Sequence, residues 1–248
     1  MADNYTFMIK TLERPKCLYA LLDSLCHYYP KADVVIADDS REPLVGVEDR
    51  YPGVQYIWYG HDYGIGACYN DIIDHWITTP ITILLDDDFI FTGQTVIERM
   101  AAFVSAGLFD IAGGDVYCHR RNKLQHFIGH FSYPEPGILH VEEIPAGMQP
   151  PVAVDITMNF FAARTEKLRE IRWDETLKVS RHLDFFLRAK RAKAKVGYVG
   201  GCRVEHVKEM NATYRAYRWM RMPEHQQLFL KIWKLRKVTG LGEIERTQ

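Results

Sequence analysis

Twice in the first 90 residues a short apolar run stops at consecutive aspartates. Val34-Val35-Ile36-Ala37 gives way to Asp38-Asp39-Ser40, and Ile83-Leu84-Leu85 gives way to Asp86-Asp87-Asp88. Short apolar runs without polar alternation are strands buried on both faces, and such strands belong to parallel sheets covered by helices. Acids that follow at once sit at the carboxyl ends of those strands, where open α/β sheets bind ligands. One pattern thus constrains both the fold class and the place of the chemistry.

The segments between the runs agree. Strands are expected at Tyr5–Thr11, Asp33–Ala37, Val54–Trp58 and Ile81–Leu85. Helices are expected at Pro15–Tyr29, with Leu18, Leu21, Leu22 and Leu25 on one face, and at Tyr63–Trp76 and Thr95–Ser105. This β-α-β alternation predicts an α/β protein with a mainly parallel central sheet flanked by helices. The second half is less regular. Residues 119–151 hold Pro134, Pro136, Pro145, Pro150 and Pro151 and read as an excursion or small hairpin over the site. A strand at Val152–Ala163, a helix at Arg181–Ala192, strands at Lys195–Val199 and Arg203–His206, and a basic aromatic helix at Tyr214–Lys237 follow.

A formal charge of −1 over 248 residues argues against nucleic acid as a partner. Cys17, Cys26, Cys68, Cys118 and Cys202 are scattered, odd in number and without a CxxC pair, which reads as reduced thiols. The N-terminus lacks signal-peptide character, and no run approaches the ~18 apolar residues of a bilayer span. The expectation is a cytoplasmic protein of bacterial or viral origin, with membrane association left to the basic tail.

The chemistry concentrates in five places. Three adjacent carboxylates at 86–88 repel one another unless a cation or donor groups neutralise them. Their hard oxygens, Asp86 and Asp88 foremost, suit Mg²⁺ or Mn²⁺, although a solvated acidic turn would carry the same letters. Asp38 and Asp39 can accept from a base or ribose, or simply cap a turn. Gly64-Ile65-Gly66 leads into a helix and can bring amides to a diphosphate, or serve only as a turn. Asp184, in a helix's first turn, is a candidate general base or a dipole partner. His206 ends a late strand and is either a metal ligand or structural.

Taken in order, Ile9-Lys10-Thr11 with Arg14-Pro15, Ala37-Asp38-Asp39-Ser40, Leu85-Asp86-Asp87-Asp88-Phe89, His182-Leu183-Asp184-Phe185-Phe186 and Val204-Glu205-His206 resemble the glycosyltransferases of the GT-A fold. Among these they look like the inverting family 2 enzymes. The wording around Lys10–Pro15 and Asp86–Thr92 is most similar to that of β-1,4-N-acetylgalactosaminyltransferases. The resemblance implies a nucleotide-sugar donor, most simply a UDP-sugar, a glycan or glycolipid acceptor, and a divalent metal. It implies that Thr11 and Arg14 line the nucleotide pocket and that Asp38 and Asp39 contact the base; Asp87, and Gly64 from its turn, are assigned to the donor site with them. It further implies Asp86, Asp88 and His206 around the metal and Asp184 as catalytic base. The family often has Glu-Asp where this chain has Leu183-Asp184. A domain over 1–210 is expected, with donor binding in 1–110 and the acceptor side in 111–210, and residues 211–248 as a helical tail packed on it. The tail could dock on a membrane, cover the diphosphate or form a dimer contact. His119, Arg120, Arg121, His126, His130 and His140, with Phe127, Phe131 and Tyr133, are candidates for the acceptor side. A non-catalytic sugar-nucleotide-binding module remains the alternative. A nucleotidyltransferase ranks lower, because residues 11–16 offer no glycine-rich loop for a triphosphate.

Overall fold

The computed structural model describes residues 4–125, 127–144, 150–179, 181–207, 211–241 and 244–245. The first half alternates as expected: β1 (Tyr5–Thr11), α1 (Pro15–Tyr28), β2 (Asp33–Asp38), a short α2 (Val47–Arg50), β3 (Val54–Trp58), α3 (Ile65–His75), β4 (Ile81–Asp86), β5 (Phe89–Ile90) and α4 (Ile97–Ser105). α1 starts on Pro15, whose missing N–H costs nothing in a first turn, and it buries Cys17, Leu18, Leu21, Leu22 and Leu25. The second half contains β6 (Ile111–Cys118), β7 (Lys123–Leu124), β8 (Gly129–Glu135), β9 (Ile138–Glu143), β10 (Val152–Val154), β11 (Phe161–Arg164), α5 (Thr165–Ile171), α6 (Arg181–Arg191), β12 (Val196–His206), α7 (Ala212–Ile232), β13 (Lys237–Gly240) and β14 (Ile244–Glu245).

The main sheet runs β10-β12-β6-β11-β4-β1-β2-β3, with β5 paired to β12 and β7 to β6. β1, β2, β3 and β4 are mutually parallel, as are β6 and β12. β11 runs against both β4 and β6, and β10 against β12, so the sheet is mixed rather than wholly parallel. The strand order reverses beside β1, which opens a crevice at the carboxyl ends. Register brings those ends level: Thr11 lies opposite Asp38, and Lys10 opposite Asp86.

Two further pairings bring distant residues to that edge. β5 begins one residue after Asp88 and runs antiparallel to the end of β12, with His206 opposite Phe89. A long loop in sequence thereby becomes a short distance in space. β12 is a single strand with an irregularity between Tyr198 and Arg203, where two separate strands are expected from sequence. The excursion after residue 119 is more than a hairpin. β8 and β9 pair with each other, and β13 and β14 return from the chain's end to complete a second sheet, β14-β13-β9-β8. Residues 211–248 are therefore not wholly a helical tail: α7 ends at Ile232, and the chain then runs as strand parallel to β9.

Gly66 shows how tightly α3 is seated. A Cβ there would stand 2.4 Å from the carbonyl oxygen of Asp174. Gly66→Ala is expected to cost about 1–3 kcal/mol through overpacking. A lower urea midpoint would report it, with Gly93→Ala, which has open space around it, as the control that changes little.

Candidate active site

Three consecutive carboxylates at the end of β4 diverge in their surroundings. Asp87 is buried and is gripped by Arg14, which donates to both of its oxygens, and by the Thr11 hydroxyl at 2.7 Å. Asp88 accepts from Arg14 Nη1 at 2.7 Å, and its Oδ2 lies 3.1 Å from His206 Nε2. Asp86 is half-exposed, with Arg181 Nη2 3.9 Å away. Burial pushes Asp87 up to about 6 against the pull of Arg14. Burial also works to raise Asp88, but His206 and Arg14 outweigh it and hold that carboxyl below the ordinary range. Arg14 loses hydration, yet Asp87 and Asp88 hold its pKa well above normal. Its guanidinium is covered on one side by the Tyr214 ring, 4.2 Å away, at the start of α7.

A single cavity is lined by Asp86, Asp87, Asp88 and His206, and by the cations Lys10, Arg14, Arg181 and Arg218. Tyr214, Ile65, Asn159 and His182 also line it. It is adjoined by a smaller recess between Lys178, Val179 and Tyr217. The first two turns of α7 therefore roof the site. Tyr217 and Arg221 fix that roof to Asp62, at 2.7 and 2.6 Å.

The other sequence-predicted residues lie close by but are engaged with the protein. Asp39 holds Lys10 Nζ at 2.5 Å and accepts from the Gly64 amide at 3.0 Å. Asp38 accepts from the Ser40 amide and the Tyr56 hydroxyl. Neither carboxylate is on the cavity lining. They shape the loop that carries Lys10 and Ile65 rather than presenting free oxygens. The Gly64 amide, expected to face a phosphate, is spent on Asp39. Gly64 itself has φ +107°, a backbone conformation that only glycine adopts without strain.

Asp184 stands apart. It is buried, its Oδ1 accepts from Trp233 Nε1 at 2.7 Å, and its Oδ2 accepts from Arg188 Nε at 2.8 Å. Burial raises its pKa, and Trp233 and Arg188 oppose the rise. It does not line the cavity, whereas His182 does. Two residues along a helix the side chains point about 200° apart, so His182 and Asp184 cannot share a face.

Of the acceptor-side candidates, Phe127 reaches the site, its ring 4.9 Å from that of His182. Gln125, which the sequence did not single out, lies 2.6 Å from His206 Nδ1. His140 bonds Thr239 in the second sheet, His119 bonds Glu205, and His126 is outside the described residues.

Residues 6–203 match the family described as Glycosyl transferase family 2. The chain belongs to this family. Among curated relatives of the family's kind, human β-1,4 N-acetylgalactosaminyltransferase 1 is 30% identical over 91% of this chain and 46% of its own length. Mouse β-1,4 N-acetylgalactosaminyltransferase 2 is 32% identical over 73% of this chain and 35% of its own. The chain thus spans less than half the length of these relatives. The solved structure of S. aureus TarS 1-349 in complex with UDP-GlcNAc superposes with a TM-score of 0.64 at 15% identity, covering 92% of this chain and 65% of that one. GalNAc-T7 with UDP, GalNAc and Mn²⁺ gives 0.61 at 13% identity, covering 91% and 50%. The fold is that of the GT-A glycosyltransferases, as the strand-end aspartates implied.

In this family member Arg14 is the counterion of two buried carboxylates. Arg14→Ala is expected to cost about 3–5 kcal/mol, because it leaves buried charge uncompensated. Arg14→Lys, a point charge without the planar fork, should recover only part of that. Urea denaturation of the three proteins measures both effects.

Proposed function

We propose that the chain transfers a sugar from a UDP-sugar to a hydroxyl of a glycan or glycolipid, with a divalent metal at the donor diphosphate. The observation that carries this reading is the make-up of one cavity. It brings the Asp88–His206 pair and Asp86 into one cavity with Arg181 and Arg218. Arg218 makes no ion pair among the described residues, and Arg181 stands only at the margin of one with Asp86. Such cations are suited to the oxygens of a diphosphate.

Among the described residues no group of three or more His, Cys, Asp or Glu converges as a complete metal cage. Mg²⁺ and Mn²⁺ do not need one: they are commonly held by one or two protein ligands, with water and substrate phosphate supplying the rest. Asp88 and His206 fit that requirement, and Asp86 is near enough to hold a metal-bound water or the ribose. When bound there, the cation neutralises charge on the departing diphosphate.

The chain's own residues supply the remainder. Arg181 and Arg218 bind and orient the diphosphate. Tyr214 and the first turns of α7 shield it from water. The recess beside Lys178 and Tyr217 gives the nucleoside a place next to the cavity. Thr11, Asp38, Asp39 and Gly64 act one step back, by fixing Asp87, Lys10 and the loop before α3. Similarity to proteins named N-acetylgalactosaminyltransferases makes a UDP-N-acetylhexosamine the first donor to try.

A UDP-sugar at about a hundred times its Kd should raise the melting temperature by roughly 5–10 °C. The shift should require Mn²⁺ or Mg²⁺, disappear with EDTA, and be lost in Asp88→Ala. No shift with any UDP species and metal present would end the proposal.

A further inference from the structure

The Asp88–His206 pair cannot hold its own geometry once a cation sits in it. Asp88 Oδ2 lies 3.1 Å from His206 Nε2 and accepts from Arg14 Nη1 at 2.7 Å. A cation between Asp88 and Nε2 takes the place of their direct contact. Another group must then keep Nε2 aimed at the cavity, because an imidazole turns readily about its stem. A half-turn puts carbon where the metal needs nitrogen. Phe89 packs against the ring at right angles, 5.7 Å away, and confines it. An apolar neighbour does not choose between nitrogen and carbon.

The contact that does choose is on the far nitrogen. Gln125 Nε2 lies 2.6 Å from His206 Nδ1. Three strands build this approach. β7 runs against β6, with Lys123 opposite Cys118 and Leu124 opposite Tyr117. The ladder extends one residue further, as the Gln125 amide donates to the Val116 carbonyl at 2.7 Å. β12 runs parallel to β6, with His206 opposite Cys118. β6 thus brings together two side chains that are 81 positions apart in the chain.

We propose that Gln125 is a positioning residue for the metal site, resting on the reading above that Asp88 and His206 hold the cation. By engaging Nδ1 it keeps Nε2 beside Asp88. A primary amide suits this task because it offers both a donor and an acceptor. Without a cation, the amide nitrogen donates to Nδ1 while the Nε2–H faces Asp88. With a cation on Nε2, the ring proton is on Nδ1, and the amide oxygen accepts it after a half-turn. The ring is neutral in both arrangements. Partners that orient a metal-bound histidine in this way typically contribute about 10–100-fold to metal affinity.

The test follows Mn²⁺ binding through the EPR signal of the free ion, with UDP present. It compares wild type, Gln125→Met, Gln125→Ala and Gln125→Glu, each with His206 intact and with His206→Ala. Met keeps the length of the side chain and removes both polar atoms; Ala removes the side chain, so the comparison does not depend on one variant folding. Glu keeps an acceptor for Nδ1–H. With His206 intact, Gln125→Met and Gln125→Ala should weaken Mn²⁺ binding by about 10-fold or more. Their metal-free melting temperatures should stay within about 2 °C of wild type. Gln125→Glu should bind Mn²⁺ at least as well as wild type. In the His206→Ala background none of the three changes should alter affinity by more than about twofold, since the coupling runs through the imidazole.

Unchanged Mn²⁺ affinity in Gln125→Met and Gln125→Ala overturns the inference. So does a loss of the same size with and without His206, or one that Gln125→Glu shares. His206→Ala that binds Mn²⁺ as wild type does also overturns it, and leaves the parent reading to Asp88. A wild type that binds no Mn²⁺ defeats the parent reading, and this one with it.

Discussion

The site is organised around an electrostatic constraint at the end of β4. Three consecutive carboxylates leave a buried strand, and a sheet interior cannot hold them as bare charges. Arg14 resolves this for two of them by bridging Asp87 and Asp88, and Thr11 completes the shell of Asp87. That solution dictates much of the local fold. Arg14 must sit immediately before α1, which explains a helix beginning at Pro15 without a side-chain cap. The β1–α1 turn must pass over the end of β4, which the parallel pairing of β1 with β4 provides. The exposed face of the guanidinium then needs a partner, and Tyr214 at the start of α7 supplies one.

The roof of the cavity is thus coupled to its floor. α7 is held by Tyr214 on Arg14, by Tyr217 and Arg221 on Asp62, and by Trp233 just past its far end on Asp184. The residue that neutralises the floor is also the residue on which the roof rests.

The first half of the fold was legible because its strands are fully buried and its helices amphipathic, so periodicity and apolar runs survive in the sequence. β6 was not legible. Its Ile111-Ala112-Gly113-Gly114-Asp115 stretch lies centrally between β11 and β12. A Cβ on Gly113 would fall 1.9 Å from the Thr157 hydroxyl, and one on Gly114 would crowd Phe160 and the Cys202 carbonyl. Crowding on both faces requires glycine where a strand signal would require branched residues. The second sheet escaped for a different reason: its parallel partners β9 and β13 are almost a hundred positions apart, and no local pattern records a pairing of that kind.

Within the site, charge was legible and direction was not. The acids at 86–88, Arg14 and His206 line one cavity, since strand ends leave little choice of heading. Helix α6 is different. Its motif offers a histidine and an aspartate two positions apart, and the family resemblance implies the carboxylate as the base. Helical geometry separates them, because two positions along a helix place the pair on nearly opposite faces. The face that carries Asp184 packs on Trp233 and extends through Arg188 to Asp174, a network that consumes every oxygen of that carboxylate. The face that carries His182 meets the cavity. The absence of an acidic neighbour at Leu183 then has a structural reason: Leu183 is itself buried in the core, where a second carboxylate would have no partner.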